Sequence, residues 1–270
     1  MSGKRLVLIR GAGDLATGSA VRLRRCGFAV VATELAAPTA VRRTVAFSEA
    51  VLDGTVAVEG VRARRAESAA DARRIVRAGD VAVLVDPTGA ISAGLRPDVV
   101  VDARVAKRNL GTSLGDAPIV IGLGPGFVAG RDVHAVIETN RGHALGSVIL
   151  AGEAEPNTGV PGEIGGFGAE RLLRAPASGT LRARCTIGER VDAGVAVADV
   201  EDRPVVARIA GVLRGLVRDG SQVREGQKIG DVDPRARPEH CFTVSDKARA
   251  VAGGVLEAIL SLGTVREPSP

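Results

Sequence analysis

Residues 9–38 read IRGAGDLATGSAVRLRRCGFAVVATELAAP, and the reading of the first half of the chain hangs on them. The preceding RLVLI, residues 5–9, carries a continuous apolar run that stops at a glycine, as in a strand covered on both faces of a parallel sheet. Residues 14–26 then read as a helix closed by Gly27, and FAVVAT at residues 28–33 is a second buried strand. Gly11, Gly13 and Ala16 fit the spacing G-x-G-x-x-G/A. The first permits a tight turn, the second lets backbone approach a pyrophosphate, and the small third residue lets the helix pack on the strand. Glu34, eighteen positions after Ala16, is an acid placed to accept hydrogen bonds from a ribose diol. Asp14 puts a carboxylate at the helix start, where a phosphate seeks positive potential. Two readings stay open: a nucleotide or phosphate-ester site, or a packing turn without a ligand.

Outward from this unit the pattern recurs. VAVLVD at 81–86, DVVVDA at 98–103 and PIVIGLG at 118–124 are short buried runs, and ESAADARRIVRAG at 67–79 reads as a helix before the first of them. Strands alternating with helices predict the α/β class, with a Rossmann-like doubly wound, mostly parallel sheet over residues 1–150.

From Asp102 onward polar residues become dense. Gly122, Gly124 and Gly126, with Pro125 and Phe127, form a second glycine turn behind a buried strand, at the edge where open α/β sheets place ligands. DVHAVIETN alternates, so as a strand it would point His134 and Glu138 to one face, with Asn140, Arg141 and His143 at its end. Two of the chain's three histidines fall here, yet their spacing matches no zinc signature and no metal ligand is assigned. A hydrogen-bonded structural histidine and polar contact with a small molecule are the main readings. Lys107, Arg108, Asn109 and Arg141 offer directional donors to a phosphorylated or pterin-like ligand, or else form a solvated loop.

The second half is duplicated. Residues 174–200 align without a gap on 206–232, pairing Gly179 with Gly211, Leu181 with Leu213, Gly188 with Gly220 and Asp199 with Asp231, always 32 positions apart. The repeat predicts two interlocked β-hairpin units about a pseudo-twofold axis. Residues 171–235 resemble the biotinyl/lipoyl barrel-sandwich domain through A-P-x-x-G and the glycines that follow it. Between the copies stands EDRPVV, residues 201–206, which lacks the lysine such carriers modify. Covalent carriage is therefore disfavoured, and the module is expected to pack on the first domain or dock a partner. Residues 151–170 read as a Gly/Pro-rich connection and 236–270 as a C-terminal helix packing back, with a tail. That helix starts at Ser245 or Asp246 and repeats apolar residues at Ala248, Val251, Val255, Ile259 and Leu262. Cys241, beside His240, is either a thiol that carries sulfur or selenium or a buried inert cysteine.

Composition narrows the function classes. Aromatics make up 2% of the 270 residues, with no Trp or Tyr, so stacking platforms for single-stranded nucleic acid are scarce and nucleic acid is not an expected partner. The net charge of +5 comes from arginines clustered between Arg22 and Arg74, read as a solvated face or a surface for an anionic ligand or acidic partner. No apolar run approaches the roughly 18 residues of a membrane span, and MSGKRLVLIRG runs into a strand without a secretory core. Three scattered cysteines fit reduced thiols, so the expectation is a cytoplasmic protein without membrane contact.

Taken in order, RGAGDLATG, AKRNLGT, GLGPGF, DVHAVIETNRGH, PNTG, GVLRGL, KIGDVDPR and SDKA resemble the YqeB-type accessory proteins associated with selenium-dependent molybdenum hydroxylases, over residues 6–262. The resemblance implies maturation of a molybdenum hydroxylase, through handling of a molybdopterin cofactor or a labile selenium ligand, with a hydroxylase subunit as partner. XdhC-type maturation factors are a looser analogy. Combined with the residue reading, the expected ligand is a nucleotide or molybdopterin derivative held by Gly11, Gly13, Asp14, Glu34, Lys107, Asn109, Gly122, Gly124, Gly126, His134, Asn140, Arg141 and His143. An NAD(P)-dependent oxidoreductase and a non-catalytic docking scaffold stay open as alternatives.

Overall fold

The computed structural model describes residues 4–157, 159 and 162–264. Thr158, Val160 and Pro161 of the expected connection, with part of its PNTG motif, lie outside the described residues, as do residues 1–3 and the tail 265–270. The chain divides into two compact units, one of Met1–Pro38, Phe47–Asn157 and Val244–Pro270, the other of Thr39–Ala46 and Thr158–Thr243.

The first unit contains β1 (Leu6–Arg10), α1 (Asp14–Arg25), β2 (Ala29–Glu34), α2 (Ala50–Asp53), β3 (Thr55–Val58), β4 (Val61–Ala66), α3 (Ala69–Arg77), β5 (Val81–Val85), α4 (Ile91–Leu95), β6 (Val99–Asp102), β7 (Ile119–Leu123), β8 (Val128–Ala129), β9 (Ala135–Ile137), β10 (Val148–Ile149), β11 (Gly152–Glu153) and α5 (Asp246–Thr264). Its main sheet has nine strands in the order β10-β9-β7-β6-β1-β2-β5-β4-β3. The centre is parallel, because its strands are buried on both faces: Val7, Leu8, Ile9, Val30, Val31, Val99, Val100 and Val101 have no exposed surface. Both edges are antiparallel, β10 on β9 and β3 on β4. The β3–β4 hairpin turns on Glu59 and Gly60, whose φ angles are 48° and 78°, as a two-residue turn matched to strand twist requires.

Helices cover the sheet because their apolar stripes need a partner. Helix α3 starts at Ser68, whose hydroxyl accepts the Asp71 amide, and buries Ala72 and Ile75. Helix α5 starts after Ser245, whose hydroxyl accepts the Ala248 amide at 3.1 Å. It lies on α1, where a Cβ at Gly18 would sit 2.8 Å from the Cβ of Ala248.

The second unit holds β12 (Leu172–Arg174), β13 (Gly179–Ala183), β14 (Arg190–Val191), β15 (Ala196–Val200), β16 (Arg203–Val206), β17 (Gly211–Leu216), β18 (Gln222–Val223) and β19 (Lys228–Asp233). They form two four-stranded antiparallel sheets, β12-β19-β17-β14 and β16-β15-β13-β18. The 32-residue offset maps β13, β14 and β15 onto β17, β18 and β19, and the copies exchange strands: β14 pairs with β17, β18 with β13. Residues 39–46 strap onto this unit. Arg43 Nε donates to the Leu216 carbonyl at 3.2 Å, Thr44 Oγ1 to the Cys241 carbonyl at 2.6 Å, and Val41 lies where a Cβ at Gly215 would be.

These observations correct the expected fold class. The large sheet is mixed rather than a Rossmann-like doubly wound sheet, because alternating runs at 55–66 fold as a hairpin at one edge and residues 148–149 reverse direction at the other. The repeated module is two separate antiparallel sheets, and no closed barrel-sandwich is formed among the described residues. The expected boundaries at 150, 170 and 235 also differ from the observed division, which gives residues 39–46 to the β module and 244–270 to the first unit.

Candidate functional site

Several central strands end in charged residues at one edge of the sheet. Arg10 closes β1, Glu34 closes β2, Asp102 closes β6, and Asp86 directly follows β5. The parallel pairing of these strands brings their ends together. Arg10 is buried, and its Nη1 donates to Thr112 Oγ1 and to Asp116 Oδ2, each at 2.6 Å. Thr112 Oγ1 donates onward to Asp102 Oδ2 at 2.6 Å, and Asp102 also receives the Arg104 guanidinium as a fork, 3.1 Å at Oδ1 and 2.5 Å at Oδ2. Burial works against the charge on Asp116, but the Ser113 amide and Arg10 outweigh it and hold its carboxyl below the ordinary 3.8. Asp86 is likewise held low. Burial opposes this, and the Ile91, Ala90 and Gly89 amides with the Thr88 hydroxyl overcome it.

The first glycine turn leads from β1 into α1. Gly11 has φ +97°, and a Cβ there would lie 3.1 Å from the Ala103 carbonyl oxygen, so two features fix glycine at this position. Ala12 anchors the turn: its amide donates to Glu34 Oε2 at 2.9 Å, and its carbonyl accepts the Ser48 amide and the Thr17 hydroxyl. Glu34 also accepts the Leu35 amide at 2.8 Å. Gly13 caps α1 with φ −72°, makes no side-chain cap, and a Cβ built there meets nothing within 4 Å. Asp14 stands in the first helical turn.

The second glycine turn is filled. A Cβ at Gly122 would lie 2.5 Å from the Phe127 ring, one at Gly124 would strike the Thr139 side chain, and one at Gly126 would lie 2.6 Å from the Arg108 backbone nitrogen. The 103–112 loop thus touches both turns, with Ala103 against Gly11 and residues 107–108 against Gly126. Asn109 shapes that loop: its Nδ2 donates to the Thr112 carbonyl and its Oδ1 accepts the Thr112 amide. Lys107 is exposed, with φ +62°.

The histidine segment stands apart from this arrangement. His134 Nδ1 accepts the Val120 amide at 3.0 Å, while Glu138, 3% exposed, accepts the Thr139, Asn140 and Glu155 amides, each at 2.7 Å. The two side chains therefore serve backbone groups rather than a shared face. Asn140 donates to Glu155, Arg141 forms a two-pronged ion pair with Asp246, and His143 is exposed. Among the described residues no group of three or more His, Cys, Asp or Glu is placed to hold a metal ion. Cys241 is 1% exposed, and burial pushes its thiol up from the ordinary range.

The sequence reading missed Arg10, Asp102, Arg104, Thr112 and Asp116. The signal was present: a charged residue standing directly at the carboxyl end of a buried apolar run, in LVLIR and VVVD.

Fold and site together define an α/β protein with a β module and a polar centre at the carboxyl edge of its main sheet. The chain is 51% identical over 261 residues to the uncharacterized protein YqeB of Escherichia coli K12, covering 97% of itself and 48% of that protein. It belongs with the YqeB-type proteins over this shared length and spans about half of that relative. No family model matches the chain. Similar solved structures include an aspartoacylase family protein from Mesorhizobium loti, 13% identical with a TM-score of 0.29 over 87% of each chain. Another is a succinylglutamate desuccinylase from Silicibacter, 14% identical with a TM-score of 0.25 over 86% of this chain and 85% of that one. TM-scores this low transfer neither fold detail nor activity. No helix among the described residues is long and apolar enough to cross a membrane.

Proposed function

We propose that the chain is an accessory protein for a molybdenum hydroxylase that holds a nucleotide or molybdopterin-type ligand at the first glycine turn. One observation carries the reading. Of the glycines expected to line the site, Gly11, Gly122, Gly124 and Gly126 are accounted for by contacts within the protein, whereas Gly13 faces open space in a conformation other residues adopt. A glycine there has a use if something outside the chain approaches the backbone. The first-turn amides of α1 lack a side-chain cap and carry the positive end of the helix dipole, which suits a phosphate ester. Asp14 and Glu34 add acceptors beside those amides, so a ligand with hydroxyl or ring N–H donors fits this mixture better than a bare anion.

Calorimetric titration of the full chain with ADP, NAD(H) and molybdopterin cytosine dinucleotide tests the proposal. Binding of one of them, lost in Gly13→Val while the variant keeps its melting temperature, supports it; binding unchanged by Gly13→Val overturns it. A response confined to NAD(H), with a spectral change on reduction, would favour the oxidoreductase reading instead.

A further inference from the structure

The β module contains a second polar centre that the proposed ligand site does not use. Arg214, in the middle of β17, is 4% exposed. It approaches Asp233 Oδ2 at 3.4 Å without forming a hydrogen bond to any described residue, and its Nε is sealed from solvent without a partner. Buried guanidinium groups normally satisfy most of their five N–H donors, so this side chain departs from the rule. Asp233 is committed elsewhere: its carboxylate accepts the Arg235 guanidinium at 2.9 and 2.6 Å and the Arg235 amide at 3.0 Å. Asp231, the other buried acid nearby, pairs with Arg171 at 2.6 Å. A further cation comes from the strap, since Arg42 Nη2 donates to the His240 and Thr243 carbonyls at 3.0 and 3.2 Å. Arg42 and Arg235 both lie near enough to push against the charge of Arg214. His240 adds a buried Nδ1 without a partner, and the Cys241 thiol points to the Leu213 carbonyl beside it at 3.7 Å. Four guanidinium groups, those of Arg42, Arg171, Arg214 and Arg235, thus stand around two buried carboxylates, Asp231 held by Arg171 and Asp233 held by Arg235, and the Nε of Arg214 is left without an acceptor.

We infer that this centre binds a small tetrahedral oxyanion of the phosphate type, with Arg214 as its principal donor and Arg42 and Arg235 flanking. Such an anion supplies acceptors in several directions and offsets the excess charge. The occupant is either free phosphate or the phosphoryl end of a larger molecule.

Thermal unfolding and calorimetry of the full chain in inorganic phosphate, against chloride of equal ionic strength, test the inference. The expected result is a phosphate-specific rise in melting temperature, with affinity reduced at least tenfold in Arg214→Met and several-fold in Arg235→Gln, whose side chain is partly exposed. Gly13→Val should keep the full phosphate response, which separates this site from the proposed nucleotide site. A phosphate response absent from the wild-type chain, or equal in wild type and Arg235→Gln, overturns it. ADP competing with phosphate would identify a phosphoryl end as the occupant, and free phosphate binding unaffected by ADP would identify the ion itself.

Discussion

Two glycine turns stand behind strands β1 and β7 of the same sheet, with β6 between them, and differ in what fills them. After β7, the space beside the glycines belongs to the protein: Phe127, Thr139 and the backbone of residues 107–108 occupy every position a side chain would take. After β1, Gly11 is crowded by Ala103 while Gly13 opens outward. A glycine-rich turn at the carboxyl edge of a sheet therefore does not by itself mark a ligand site. What separates packing from binding is whether the missing Cβ would meet the chain's own atoms.

This contrast sets the sizes of the expected effects. Gly126→Ala forces a Cβ into the Arg108 backbone at φ +108°, and should lower stability by about 4 kcal/mol or prevent folding, read as the urea midpoint. Next comes the network between the turns. Asp102→Ala leaves Arg104 and Thr112 without their buried acceptor and should remove about 3 kcal/mol by the same measurement. Gly13→Ala should change stability by only about 0.5 kcal/mol, since its Cβ meets nothing; a loss comparable to that of Gly126→Ala would erase the difference between the turns.

The smallest effect is a pH dependence. The folded carboxyl of Asp116 lies below 3.8, so its ionised form adds stability above that pH, and this contribution drains away as pH falls from 3.8 through the folded value. Asp116→Asn should therefore be less stable than wild type at pH 5, and the gap should close on further acidification. A gap that widened toward acid would place the carboxyl on the other side of its ordinary value.

The central elements were legible in sequence because burial on both faces leaves uninterrupted apolar runs. VAVLV and VVVD became β5 and β6, and the helix expected from Ser245 or Asp246 begins where its cap stands. The edges were not legible in the same way. The β3–β4 hairpin carries its signal in two residues, Glu59 and Gly60, directly before the arginine-rich run of β4, which reads as a charged face. The β module's repeat was visible, but equal spacing does not say whether strands close into a barrel or lie in two sheets. At the site, glycine spacing located the first turn, while the roles of His134 and Glu138 depended on backbone amides supplied by Val120 and Glu155, distant in sequence. No periodicity reports such partners. Arg10 was overlooked because the strand reading of residues 5–9 ends where the apolar residues end, one position before it, and Asp102 because it was read within the run 98–103 as part of a strand and not as a member of a polar centre.

Hydrogen exchange on the full chain, with and without the nucleotide that binds it, tests the central claim most directly. The account predicts slower exchange in peptides covering residues 11–18 on addition of ligand, with residues 122–127 unchanged because their turn is already filled. Protection confined to residues 122–127, or none at residues 11–18 under saturating ligand, would contradict it.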